Sequence, residues 1–177
     1  MEKRHIIVVG ARHAGKSTLT ERLSAHNTRP VYGYFTRSDA PDANGYHDIY
    51  IYPAGSAERV RSRANHIGTC NGRQRVVNTD VFETRGVEYL KNEPDGIIVM
   101  DELGFMETDA ERFKSAVLSC LDGDTHVFAT VKAREGIDFL DAVRRHPKAE
   151  VFEINEENRD SLYEELLKYI LAWNTEG

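Results

Sequence analysis

The residues best placed to do chemistry are Gly10-Ala11-Arg12-His13-Ala14-Gly15-Lys16-Ser17, followed by Thr18. They satisfy G-x-x-x-x-G-K-[ST], a loop whose backbone N–H groups cradle phosphates. Gly10 and Gly15 admit dihedrals that a side chain penalises, so consecutive amides can turn inward around an anion. A helix opening near Lys16 adds unpaired N–H groups and partial positive charge. In such a loop Lys16 reaches β- and γ-phosphates and the Ser17 hydroxyl binds Mg²⁺. Arg12 and His13 line the loop through their backbone.

A second chemical stretch is Gly96-Ile97-Ile98-Val99-Met100-Asp101-Glu102. Four apolar residues in a row fit a strand covered on both faces. An Asp at the end of such a strand holds Mg²⁺, directly or through water. Glu102 is placed to orient or deprotonate an attacking water. A strand ending in Asp-Glu is common by itself and gains meaning from the upstream loop. Asp101-Glu102-Leu103-Gly104 also satisfies D-x-x-G, which puts Gly104 among the candidate phosphate contacts. The guanine-reading Asn/Thr-Lys-x-Asp pattern is absent, since Thr130-Val131-Lys132-Ala133 lacks the required Asp.

These residues need a scaffold of alternating strands and helices. The run His5-Ile6-Ile7-Val8-Val9 precedes the loop and Thr18 to Leu23 follows it as helix. Val31 to Arg37 and Tyr46 to Tyr52 read as strands joined through Asn44-Gly45, an antiparallel hairpin signal. Its tyrosines are expected to form a packed aromatic face. Gly55 to Arg75 is the least regular segment and carries Arg59, Arg61, Arg63, Arg73 and Arg75. It reads as a solvated loop, or as a basic flap reaching phosphates. A short strand at Gln74 to Asn78 and a helix through Val81, Val87 and Leu90 follow.

From Gly96 onward strands and helices alternate. A helix starts at Glu107 to Asp109 and carries Phe113, Val117 and Leu121. Thr125 to Val131 is a strand, Gly136 to Val143 a helix stopped before Pro147, and Glu150 to Ile154 a strand. In the last helix, Asn158 to Trp173, residues Leu162, Leu166, Ile170 and Trp173 share one face, and Trp173 anchors it. The pattern implies a three-layer α/β domain with a mostly parallel sheet, an antiparallel hairpin addition, and ligands at the carboxyl ends of the strands.

The 177 residues suit one domain, 1–177. With 40% hydrophobic and 29% charged residues the composition is that of an ordinary globular chain. The net charge of −6 argues against a nucleic-acid-binding body. No apolar run approaches a membrane span, and Met1-Glu2-Lys3-Arg4 leads straight into a strand without a secretory signal, which points to the cytoplasm. Cys70 and Cys120 lie in no metal motif and predict no disulfide. Histidine spacing gives a zinc site no support.

With these residues in view, the chain resembles the small P-loop nucleoside triphosphatases of the thermophile and cancer-related type, nearly end to end. Gly33-Tyr34-Phe35-Thr36 matches the family's Gly-aromatic-aromatic-Thr strand in kind. Asp101-Glu102-Leu103-Gly104-Phe105-Met106-Glu107, with Phe113 downstream, matches its Asp-Glu-Ile-Gly-Lys-Met-Glu stretch. Asn158-Arg159 matches its Asn-Arg pair. The resemblance implies a RecA-like fold and Mg²⁺-dependent hydrolysis of ATP, GTP and other nucleoside triphosphates. A monomer is the default state, with an arginine supplied in trans by a neighbouring copy as the alternative. Carried over by position, Lys16 binds phosphate, Ser17 and Asp101 serve the metal, and Glu102 activates water. Arg159 and the Arg59–Arg75 cluster are candidates to complete the site. The chain departs from the family at His13, where Gly is usual, and at Phe105, where Lys is usual. It also lacks the Arg pair usually found before the hairpin's second strand. A small-molecule kinase and a nucleotide-dependent switch are the competing readings.

Overall fold

The computed structural model describes residues 3–176. The strand expected after Met1-Glu2-Lys3-Arg4 begins at His5; Met1 and Glu2 lie outside the described residues. In chain order the elements are β1 (His5–Gly10), α1 (Lys16–Ser24), β2 (Val31–Ser38), β3 (His47–Pro53), β4 (His66–Cys70) and β5 (Arg75–Val77). A helical segment follows, α2 (Thr79–Val81), a wide turn (Phe82–Gly86) and α3 (Val87–Tyr89). The chain continues through β6 (Ile97–Leu103), α4 (Glu111–Asp122), β7 (His126–Lys132), α5 (Asp138–Arg144), β8 (Ala149–Glu153) and α6 (Arg159–Trp173).

All eight strands form one sheet, ordered β5-β4-β3-β2-β6-β7-β1-β8. The half from β2 to β8 is parallel, and β3, β4 and β5 extend it as an antiparallel wing. Strand β7 lies between β1 and β6, so the loop after β1 and the carboxylates ending β6 open on the same edge of the parallel half. This is a three-layer α/β fold with a mostly parallel sheet and an antiparallel addition.

Each face of the sheet is sealed by helices whose apolar residues recur at helical spacing. On one face Leu19 and Leu23 of α1 pack with Leu162, Leu166, Ile170 and Trp173 of α6. On the other, Phe82, Phe113, Leu121, Leu140 and Val143 meet Ile7, Ile98 and Met100 from the strands. Trp173 anchors the end of α6 by stacking on His126, with ring centroids 4.5 Å apart. The central strands are buried on both faces, which explains their unbroken apolar runs.

The hairpin forms between β2 and β3, with Gly45 at φ +79° in its turn. Tyr34 and Tyr52 are buried and Tyr50 packs against Tyr52 and His66, so the aromatic face is a packed one. Glycine is required at position 33, where φ is +94° and a Cβ would approach the Val99 carbonyl oxygen to 1.9 Å. That close approach lets β2 pair with β6.

Two boundaries differ from the sequence expectation. The segment Gly55 to Arg75 contains a strand, β4, paired on both sides. It is held there by side chains: His66 Nε2 lies 2.9 Å from Asp48, and Thr69 Oγ1 donates to the same carboxylate at 2.6 Å. The helix expected from Glu107 starts at Glu111. The preceding residues turn so that the Glu107 carboxylate is buried beneath Gly104 and accepts its amide.

Candidate active site

The loop between β1 and α1 closes on its own lysine. Lys16 Nζ donates to the carbonyls of Gly10 at 2.7 Å and Ala11 at 2.9 Å, and lies 3.3 Å from Glu102 Oε2. Its side chain is only 6% exposed. Gly10 has no room for a side chain, since a Cβ would meet Ile154 Cγ2 at 2.5 Å. Gly15 takes φ +103° just before α1. His13 also adopts the left-handed region, at φ +65°, which costs a non-glycine residue about 1 kcal/mol. A glycine there would avoid that cost.

Asp101 is 1% exposed and its carboxylate is fully engaged. Oδ1 accepts from Thr130 Oγ1 at 2.7 Å and from Ser17 Oγ at 3.2 Å. Oδ2 accepts from Arg37 Nη1 at 3.0 Å, and the other arm of Arg37 reaches Glu21 at 2.8 Å. Three donors thus satisfy the buried carboxylate, which offsets the cost of taking it out of water. Glu102, one residue on, is 25% exposed and sits between two cations, with Lys132 Nζ 3.5 Å from Oε1 opposite Lys16 at Oε2. Its backbone N–H donates to Thr36 Oγ1 at 3.3 Å, and Thr36 Oγ1 donates to the Asp101 carbonyl at 3.2 Å.

An open cavity of about 400 Å³ is lined by Arg12, His13, Gly15, Lys16, Ser17 and Thr18, with Glu102 and Arg159 closing its sides. Arg159, in the first turn of α6, lies across Gly15, where a Cβ would be 3.8 Å from its Cδ. The loop, Glu102 and Arg159 therefore share one space. Ala14 is buried under the loop and faces the core instead. Gly104 lies near this space, but its amide is committed to Glu107. Burial pushes the Glu107 carboxyl up to about 7 from a usual 4.5, against the opposing pull of the Gly104 amide.

The Ser17 hydroxyl and the Asp101 carboxylate present hard oxygen donors 3.2 Å apart, the chemistry that Mg²⁺ prefers. No cluster of three or more His, Cys, Asp or Glu side chains suited to a metal occurs among the described residues. Both cysteines are free. No helix among the described residues is long and apolar enough to cross a membrane.

Four side chains to which the sequence assigns no site role also meet here: Thr36, Arg37, Thr130 and Lys132. Each reaches the Asp101-Glu102 pair through strand register. Phe35 pairs with Asp101 across β2 and β6, which brings Thr36 and Arg37 alongside. Val131 pairs with Leu103 across β6 and β7, which places Thr130 and Lys132 on either side of the carboxylates. Thr130, a polar residue inside an apolar strand, was the one visible signal.

The family model described as NTPase matches residues 5–167. The chain belongs to the NTPase family. Its relatives within that family include the nucleoside-triphosphatase THEP1 of Methanosarcina barkeri, 37% identical over 166 residues that cover 89% of this chain and 91% of that protein. The THEP1 of Thermotoga petrophila is 28% identical, covering 96% of this chain and 93% of the other. The mouse cancer-related nucleoside-triphosphatase homolog is 25% identical over 97% and 99% of the two chains. The crystal structure of THEP1 from Aquifex aeolicus has the same fold, with a TM-score of 0.71 at 23% identity over 94% of this chain and 98% of that one.

Proposed function

We propose that this NTPase-family protein hydrolyses nucleoside 5′-triphosphates, ATP and GTP among them, to the diphosphate and phosphate. The observation that carries the reading is Glu102: a partly exposed carboxylate at the rim of the phosphate-loop cavity, held between Lys16 and Lys132.

The loop amides from Gly10 to Thr18 and the Lys16 ammonium bind the phosphates, with Lys16 leaving its carbonyl partners for the β- and γ-oxygens. Ser17 and Asp101 would hold Mg²⁺, which would supply positive charge to the phosphate oxygens. Glu102 orients a water in line with the γ-phosphorus and accepts its proton as the new P–O bond forms. The bond to the β,γ-bridging oxygen breaks, and its electron pair leaves with the diphosphate. Arg159 faces the same cavity and meets charge on the transferred group. Lys132 fixes the Glu102 carboxylate from the side away from the loop. Gly104 contacts phosphate in this reading only if its amide leaves Glu107. The working unit in this reading is one domain over residues 1–177, acting as a cytoplasmic monomer without nucleic acid.

Phosphate release from ATP, GTP, CTP and UTP with Mg²⁺ tests the proposal, with wild type compared against Glu102→Ala and Lys16→Ala. Slow release from several nucleotides is expected from the wild type. Tight nucleotide binding with no release from any of the four would overturn the hydrolase reading and favour a phosphoryl acceptor other than water.

A further inference from the structure

A second cavity, of about 380 Å³, lies across Glu102 from the phosphate loop, where the antiparallel wing meets β6 and β7. Arg12, Arg73, Arg75, Lys132 and Arg134 line it, and Glu102 is the one carboxylate on its wall. Five cations against one anion stand out in a chain of net charge −6. Of the five, only Lys132 has a carboxylate within 4.0 Å among the described residues, and that partner is Glu102 itself. The four arginines hold no acidic partner there.

Three of these cations converge. Around the Phe105 ring, Lys132 Nζ lies 4.4 Å, the Arg75 guanidinium 4.5 Å and the Arg134 guanidinium 5.4 Å from the centroid. The ring face offsets part of their mutual repulsion, since each cation–π contact is worth about 0.5–2 kcal/mol. Like charges gathered on one wall still lack the anion that would neutralise them. Guanidinium forks match phosphate oxygens two at a time, which a carboxylate or a halide cannot satisfy at several arginines together. Ile49, Phe105 and Met106 give the same cavity an apolar side, enough for the carbon skeleton of a small molecule.

We infer that this cavity binds a small organic phosphomonoester, seated with its phosphate among Arg73, Arg75 and Arg134 and its organic part against Phe105. The ligand occupies the cavity together with a nucleotide at the phosphate loop, because Glu102 and Arg12 stand on the wall between the two spaces. This binding site stands apart from the hydrolase reading.

Isothermal titration of the full chain, saturated with Mg²⁺ and ADP, uses ribose 5-phosphate as the probe and ribose as the neutral control. Ribose 5-phosphate is expected to bind and ribose not to. The Arg73→Ala/Arg75→Ala double variant should weaken the probe at least about tenfold, as loss of charge-assisted bonds requires, while ADP affinity stays at the wild-type value. Arg134→Ala, on a different strand end, should weaken it in the same direction. The inference is overturned by any of three results: no binding of the probe to wild type at millimolar concentration, at least tenfold weaker binding with ADP than in a parallel titration without it, or undiminished binding in the variants. The titration contains no turnover, so a failed hydrolase reading would leave its outcome unchanged.

Discussion

The buried charges beside the phosphate loop, Lys16 and Asp101, already have partners within the protein; on the antiparallel wing most arginines do not. Lys16 is satisfied by two carbonyls and Glu102, and Asp101 by Ser17, Thr130 and Arg37. Arg73 and Arg75 of the wing, by contrast, have no carboxylate within 4.0 Å among the described residues, and Arg75 leans on an aromatic ring. The difference follows from burial. A charge held at 1–6% exposure must be paired or its desolvation would unfold the site, whereas a solvated guanidinium tolerates being alone. A nucleotide entering the loop exchanges one set of partners for another. A ligand on the wing would gain partners without displacing any.

The sharpest way to break that contrast is at its paired end. Lys16→Ala should abolish both nucleotide binding and phosphate release, measured by titration and by phosphate assay. Glu102→Ala should keep nucleotide binding while losing release by about a hundredfold or more.

Next in size are two buried titratable groups away from the phosphate loop. The native state keeps the proton on Glu107 up to about 7, while an unfolded chain gives it up near 4.5, so this group lowers stability as pH rises through that window. His5 acts oppositely. Burial lowers its pKa to about 4 from 6.5, so it stays neutral in the native state, and stability is lost as pH falls from 6.5 towards 4. Each effect is about 3 kcal/mol at most, and they oppose each other over nearly the same range. Denaturant melts of Glu107→Gln should therefore show greater stability than wild type at pH 8. They should also show a steep loss on acidification from pH 6.5 that the wild type lacks.

Two matched arginine removals then compare the regions directly. Arg37→Ala strips a buried carboxylate of a charged donor and should cost about 2–3 kcal/mol in a urea melt. Arg61→Ala removes an exposed pair with Asp39, at 2.7 Å, and should cost under about 1 kcal/mol. Equal losses would erase the distinction between the two halves. Between these two, His13→Gly should raise the melting temperature slightly, because it relieves about 1 kcal/mol of left-handed strain at the cost of some unfolded-state entropy.

Much of this could be read in the sequence because local rules govern it. The phosphate loop is contiguous, and its glycines stand where the backbone demands them. The apolar run ending in Asp101-Glu102 declares a central strand by its composition. Strand β4 was hidden because Gly68 breaks its alternation and its support comes from distant Asp48 and Asn78. Arg37 and Lys132 were hidden for a related reason. They meet the carboxylates only through the registers of β2 and β7 against β6, which are set by long-range pairing. Gly104 shows the converse: its D-x-x-G spacing is local, but the hold of Glu107 on its amide shows only in the fold.

Helix α6 has one end on the phosphate loop, through Arg159 beside Gly15, and the other clamped by Trp173 on His126. Fraying of its first turn and occupancy of the loop are thus thermodynamically linked. A bound nucleotide that engages Arg159 must slow amide hydrogen exchange along the first turns of α6, by the same factor by which an intact helix start tightens the nucleotide. The amides near Trp173 answer to a different clamp and would exchange at an unchanged rate.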